Sequence, residues 1–280
     1  MLASLRSVLD WAEKNDCAAA AFDTPNFELL VASIRAAETR NEPVIIQHAQ
    51  LHESETSIDL IGPVMVMFAK AACVPVCVML DHGEDVAYVQ RALNIGFSAI
   101  MIDGSQLPYS DNVALTKQVV DICHADGIDV EAEIGFTTGH AGMENSDDTR
   151  ANVYTNPDAA ARFVTDTGAD ALAASIGTAH GFYKAEPMLD FPRIKELRRT
   201  CGVPLVMHGG SGLSFEDTRK AIEAGIRKIN YFSYMSNAGV RAVEQLIEEQ
   251  HPKYFHALAN AATNAMQADA ETAMETFSMQ

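Results

Sequence analysis

A single (β/α)8 barrel is the fold this sequence predicts. Three features point to it: eight short apolar runs of strand length, helical spacing between them, and Gly or Pro where one gives way to the next. The runs lie at residues 17–22, 44–48, 76–81, 99–103, 128–134, 169–176, 204–208 and 228–232. Each has the length of a parallel strand buried on both faces. Helical patterns occupy 26–40, 84–95, 112–125, 158–167, 191–201 and 214–224. Pro43, Gly96, Gly127, Gly168, Gly202 and Gly225 stand between a helix and the next strand, where a left-handed cap or a helix breaker belongs. No G-x-G-x-x-G follows the first run, which argues against an open dinucleotide-binding sheet.

The expectation is one domain over residues 1–280, with the barrel at about 15–250 and a helical extension at about 252–280. The extension begins after Pro252, which interrupts a helix over 236–249; an Ala- and Met-rich helix over 256–276 follows. Its apolar face has two possible uses, packing on its own chain or forming a subunit interface. The stretch 135–157 is the longest without periodicity, and a loop of that length in a compact domain is usually functional or disordered.

The formal net charge is −18, from 38 acidic and 20 basic residues, which disfavours nucleic acid and anionic membranes as partners. A small phosphorylated ligand stays possible, because backbone amides at a helix N-terminus bind phosphate without a basic patch. The five cysteines include no CxxC pair, so a reducing compartment is expected. No apolar run approaches a membrane span and no targeting segment is visible, so the expected location is cytoplasmic.

Reactive groups in such barrels sit where strands end and βα loops begin. His82, His180 and His208 all fall at such ends. Three imidazoles with an open fourth position make a catalytic zinc site; the alternative is three unrelated loop histidines near a pocket. Asp81 precedes His82, so on an extended strand their side chains should diverge, which leaves Asp81 as a general acid/base or as a helix N-cap. Asp85 competes for the capping role. Asp103 and Glu133 end neighbouring strands, either to hold a second cation or to hydrogen-bond the histidines. The turn His208-Gly-Gly-Ser-Gly-Leu before a helix offers amides and the Ser211 hydroxyl to an anion, and Gly181 can add another amide.

Taken together, these pieces resemble the class II, metal-dependent ketose-bisphosphate aldolases, the fructose- and tagatose-bisphosphate aldolase family. The matching segments are Pro43-Val-Ile-Ile-Gln47, Leu80-Asp-His82, Met101-Ile-Asp-Gly-Ser105, Val130-Glu-Ala-Glu-Ile-Gly135, Ile176-Gly-Thr-Ala-His-Gly181, His208-Gly-Gly-Ser-Gly212 and Lys228-Ile-Asn230. They occur in family order over about residues 15–260.

The resemblance implies one Zn2+ per subunit on His82, His180 and His208, with Asp103 and Glu133 at the alternate metal position. It implies Asp81 as the proton shuttle for the aldehyde-derived hydroxyl. Gly181, Gly209, Ser211, Asn230 and Ser233 would surround the dihydroxyacetone phosphate half, with a monovalent cation, Na+ or K+, at the phosphate. The implied reaction is reversible cleavage of a phosphorylated ketose to dihydroxyacetone phosphate and an aldehyde through a zinc-stabilised enediolate. A homodimer or homotetramer is the implied assembly. A zinc-dependent epimerase or isomerase, and a non-catalytic sugar-phosphate binder, are the alternatives on the same scaffold.

Departures from the family pattern bear on substrate. Its loop glutamate is matched best by Glu144, with His140 as competitor. At positions that contact the distal half of the sugar stand Asp23, Ala49, Phe232 and Lys253, where the family has Asn, Ser, Asp and Arg. Loss of a hydroxyl and of a forked guanidinium weakens bidentate phosphate recognition. The expected substrate is therefore a ketose 1-phosphate whose far end is not a phosphate.

Overall fold

Eight parallel strands close into a ring in the computed structural model, which describes residues 1–135, 154–183 and 187–280. The ring strands are β2 (Ala19–Asp23), β3 (Val44–Ala49), β4 (Val76–Gly83), β5 (Ala99–Ile102), β6 (Asp129–Ile134), β7 (Ala171–Ala174), β8 (Leu205–Met207) and β9 (Ile226–Tyr231). Pairing runs in chain order around the ring, from β2 to β9, with β9 returning to β2. Each strand falls on one of the eight apolar runs.

Helices α2 (Phe27–Arg40), α3 (Ile58–Ala71), α4 (Val86–Ile95), α5 (Tyr109–Ala125), α6 (Pro157–Thr167), α7 (Phe191–Cys201), α8 (Phe215–Ala224) and α9 (Ser233–Gln250) separate or follow the strands. Several of these helices start on oxygen caps: Asn26, Asp85, Asn156, Asp190 and Ser214 each accept a first-turn amide. α10 (Phe255–Phe277) lays Met266, Ala270, Ala273, Met274 and Phe277 into the core and packs on α9 and α2. Its last turn is tied to the first barrel strand region, where Ala18 N–H donates to the Phe277 carbonyl at 3.0 Å. The apolar face of the extension thus packs on its own chain.

Alternation divides the strands into two apolar sets. Phe22, Ile46, Val78, Ile100, Val130 and Leu172 point outward to the helices. Ala19, Ala21, Ile45, Cys77, Met79, Ala99, Met101, Ala171, Ala173 and Val206 join a second cluster along the axis. That cluster is completed by Leu5, Val8, Leu9 and Ala12 of α1 (Leu5–Lys14), which plugs the N-terminal end of the barrel. Leu5, Val8 and Leu9 of this plug, each buried, contribute about 1.5–3 kcal/mol apiece. A two-residue strand, β1 (Leu2–Ala3), pairs with Val76 and Cys77 at the foot of β4. With α1 at the N-terminal end, the strand ends that can carry a site lie at the opposite rim.

Candidate active site

Polar residues replace apolar ones on the axis as the strands approach the C-terminal rim. Gln47, Asp81, Glu131, Glu133, His208, Lys228 and Asn230 are buried there. They form a connected network. Lys228 Nζ lies 2.8 Å from Glu131 Oε2 and donates to Asn230 Oδ1 at 2.8 Å. Asn230 Nδ2 donates to Asp81 Oδ1 at 3.1 Å, and Gln47 Nε2 donates to the same oxygen at 2.7 Å. The other oxygen of Glu131 is 3.0 Å from His208 Nε2. One buried ammonium therefore links the support of His208 to the two amides that hold Asp81.

The three histidines meet above this layer. The His82 ring centroid is 5.1 Å from that of His180 and 4.7 Å from that of His208, and the last two rings are 5.6 Å apart. One ring nitrogen from each lies within 4.8 Å of the other two. Each outer contact fits a metal ligand held from behind. Asp103 Oδ2 is 2.9 Å from His82 Nδ1, and Glu131 engages His208 Nε2, which leaves His208 Nδ1 on the side of the cluster. Glu133 Oε2 stands 3.3 Å from His208 Nδ1 and 4.0 Å from His82 Nδ1. His82, Asp103 and Glu133 make a second group of donors spaced for an ion. The donor set fits zinc: three imidazoles, with carboxylates behind two of them.

Charge is shared closely here. Burial by itself would lower His208, but the carboxylates of Glu131 and Glu133 outweigh it and push the ring up to about 10. Burial would likewise raise Asp81, yet His82 and Lys228 hold it below the usual carboxylate range. Glu131 follows the same pattern, lowered against burial by Lys228 and His208.

The divergence expected of Asp81 and His82 does not occur. The β4–β5 register shifts between Leu80 and Gly83, and His82 adopts a left-handed backbone with φ 42°. The bulge turns both side chains toward the mouth, with His82 Nε2 3.7 Å from Asp81 Oδ2. A non-glycine residue held in that region is strained, and such strain concentrates at functional positions. The capping alternative for Asp81 is settled by Asp85, whose Oδ1 accepts the Tyr88 amide at 2.8 Å.

A cavity of about 280 Å³ opens over these groups. Asp81, His82 and His180 line it. Gly181, Gly209, Ser211, Asn230 and Ser233, which the resemblance assigns to the phosphorylated half, line it as well. Gly209 has φ 67°, and a side chain there would run into the Ala179 carbonyl, so only glycine fits. Ser211 also caps α9, because its Oγ accepts the amides of Phe232 at 3.0 Å and Ser233 at 3.1 Å. Its hydroxyl proton stays available to an anion.

Asp23, Ala49 and Phe232, the residues expected at the distal half, also line the cavity. Lys253 does not: it is exposed in the connection between α9 and α10. Glu144 and His140 lie outside the described residues. The sequence alone assigns no role to Glu131, Lys228, Gln47, His52 or Tyr183. Tyr183 donates to the Gly209 carbonyl at 2.7 Å and accepts the Ala179 amide at 3.2 Å, clasping the two loops that carry His180 and His208.

Replacing Lys228 with Met would leave Glu131 buried with the His208 ring but without its ammonium partner. The expected cost is about 3–5 kcal/mol of stability, read by chemical denaturation. Adding Glu131→Gln to Lys228→Met should recover most of it, since the neutral pair leaves no buried charge. No recovery would mean that the pair is not the source of the loss.

A closed parallel barrel with a histidine cluster and a carboxylate at its open end has the make-up of a metal-dependent barrel enzyme. The chain belongs to the family described as fructose-bisphosphate aldolase class-II, whose sequence model matches residues 3–280. It is 39% identical over 256 residues to the YdjI protein of Escherichia coli (strain K12), covering 91% of this chain and 90% of that one. The crystal structure of the YdjI aldolase from the same organism superposes with a TM-score of 0.88 at 36% identity, over 99% of this chain and 97% of that one. A proposed fructose-1,6-biphosphate aldolase from Coccidioides immitis gives a TM-score of 0.87 at 32% identity, over 98% and 95% of the two chains. Among the described residues no helix is long and apolar enough to cross a membrane.

Proposed function

We propose that the protein is a zinc-dependent aldolase that reversibly cleaves a ketose 1-phosphate into dihydroxyacetone phosphate and an aldehyde with a non-phosphorylated far end. The observation that carries this reading is the convergence of three imidazole nitrogens within 4.8 Å, two of whose residues, His82 and His180, line one cavity together with the buried carboxylate Asp81.

His82, His180 and His208 would hold the ion. Bound there, zinc supplies Lewis acidity to the oxygens of the dihydroxyacetone phosphate half. Asp81 takes the proton from the hydroxyl on the carbon that becomes the aldehyde. As that O–H bond breaks, a C=O bond forms, the adjacent C–C bond opens, and its electron pair stays with the phosphorylated half. Gln47 and Asn230 fix one Asp81 oxygen and leave the other, 3.7 Å from His82, facing the reacting side. In the reverse direction Asp81 returns the proton to the new alkoxide. The amides and hydroxyls of Gly181, Gly209, Ser211 and Ser233 hold the phosphate, with Na+ or K+ as its counter-ion. The residue that exchanges the proton on the phosphorylated half is assigned to Glu144 by its place in the 135–157 loop.

The absence of a phosphate at the far end follows from Asp23 and Ala49 on the cavity wall and from the exposed position of Lys253. The comparison of kcat/KM for fructose 1,6-bisphosphate with that for ketose 1-phosphates tests it. The monophosphates are expected to be the better substrates; a strong preference for the bisphosphate contradicts this part of the proposal.

A further inference from the structure

The cavity wall holds polar atoms that no described residue satisfies. Asp23 Oδ1 is buried and has no hydrogen-bond partner among the described residues, and the same is true of His52 Nδ1. His52 belongs to the 3-10 turn Gln50–Ser54 that follows β3, and its ring lies 5.3 Å from that of Phe232. Ala49, Leu51 and Phe232 supply apolar wall. Among the described residues that line the cavity there is no lysine or arginine.

The turn is rigidly placed. The Glu84 amide donates to Gln50 Oε1 at 2.8 Å, and Glu53 accepts from Tyr88 Oη at 2.6 Å, from the Ile58 amide at 2.9 Å and from Arg91 at 2.8 Å. His52 is thus carried on a segment pinned to both α3 and α4, which is how a recognition group is preorganised. Burial lowers the His52 ring and so favours its neutral form, which offers one donor and one acceptor. Burial and the charge of Asp81 push Asp23 up to about 7, a resistance to further negative charge at this end. An acceptor, a neutral donor–acceptor and apolar walls match hydroxyl groups on a short carbon chain. They match a phosphate or a carboxylate less well, since either would meet the Asp23 carboxyl with no lysine or arginine among the described lining residues to offset it.

We infer that Asp23 and His52 form a hydroxyl-reading pair, and that the aldehyde half of the substrate is an uncharged polyhydroxylated chain. The inference rests on the aldolase reading above and extends it by naming the chemical class of the far end and His52 as a specificity-determining residue.

The test is calorimetric binding of two non-cleavable probes, a hexitol 1-phosphate and the matching hexitol 1,6-bisphosphate, to the zinc-loaded protein and its His52→Leu and Asp23→Asn variants. The wild-type protein should bind the monophosphate at least about tenfold more tightly, the effect of satisfied against unsatisfied buried polar groups. His52→Leu should weaken the monophosphate by about fivefold to tenfold and leave zinc content unchanged. Asp23→Asn should narrow the gap by improving the bisphosphate. Equal binding of the two probes by the wild type, or monophosphate binding indifferent to His52→Leu, overturns the inference. Binding of neither probe overturns it together with the aldolase reading, because the phosphate end is common to both. The expected binding pattern without cleavage of any ketose 1-phosphate would sink the aldolase reading and keep the hydroxyl site.

Discussion

His208→Ala is expected to abolish metal binding and turnover together. His208 supplies one of three imidazoles, and its ring is fixed on one side by Glu131 at 3.0 Å and faced on the other by Glu133 at 3.3 Å. Loss of a supporting partner alone typically costs about 10–100-fold in metal affinity, and removal of the ligand itself costs more. Metal analysis after exhaustive dialysis, with activity measured on the same sample, checks it. The variant should hold far less than one zinc per chain and turn over no faster than chelated wild-type protein. Full zinc stoichiometry would remove His208 from the ligand set. The substitution also leaves Glu131 and Lys228 as a buried charge pair facing a void, so a stability measurement on the same variant separates loss of metal from loss of fold.

Asp81→Ala should separate what His208→Ala joins. Asp81 is placed by Gln47 and Asn230, and neither donates to a histidine. Removing its carboxylate takes away a proton carrier and leaves the three imidazoles in place. Zinc content should stay at the wild-type level while kcat falls by about 10²–10⁴-fold, the usual contribution of a positioned acid or base. A KM that stays close to wild type would show that the loss falls on the chemical step. If zinc is lost as well, Asp81 is supporting His82, whose Nε2 it approaches at 3.7 Å, and another group moves the proton.

The barrel is legible in the sequence because most strands are short, mainly apolar runs with Gly or Pro just before them, a local signal, although β6 and β9 carry charged residues. The plug α1 has the same kind of signal, Leu5, Val8, Leu9 and Ala12 at helical spacing, but Arg6, Asp10 and Glu13 interleave it, and nothing local tells a barrel plug from any other amphipathic helix. The histidines and Asp81 are visible as residues at strand ends. Their orientation is not, since period-two alternation fails at the His82 bulge and nothing local in Leu80-Asp-His82-Gly announces the shift. Glu131 and Lys228 escape for a different reason. Alternation puts Glu131 on the same face as Glu133, yet its use depends on Lys228 and on His208, 77 positions away, and only ring closure brings those strands together. His52 lies in a short 3-10 turn with no periodic signature, and its place in the cavity wall comes from contacts of Glu53 with α3 and α4. Lys253 shows the reverse: alignment by motif puts it at the far end of the sugar, while Pro252 and the turn between α9 and α10 carry it to the surface.

The central claim is cleavage of a ketose 1-phosphate, and one screen tests it most directly. Zinc-loaded protein is offered a panel of ketose 1-phosphates and 1,6-bisphosphates, and dihydroxyacetone phosphate is measured with and without a chelator. Release that the chelator stops, greatest from 1-phosphates with an uncharged far end, is the predicted result. A zinc-bound protein that releases no dihydroxyacetone phosphate from any of these sugars, or that interconverts them without cleavage, would contradict it.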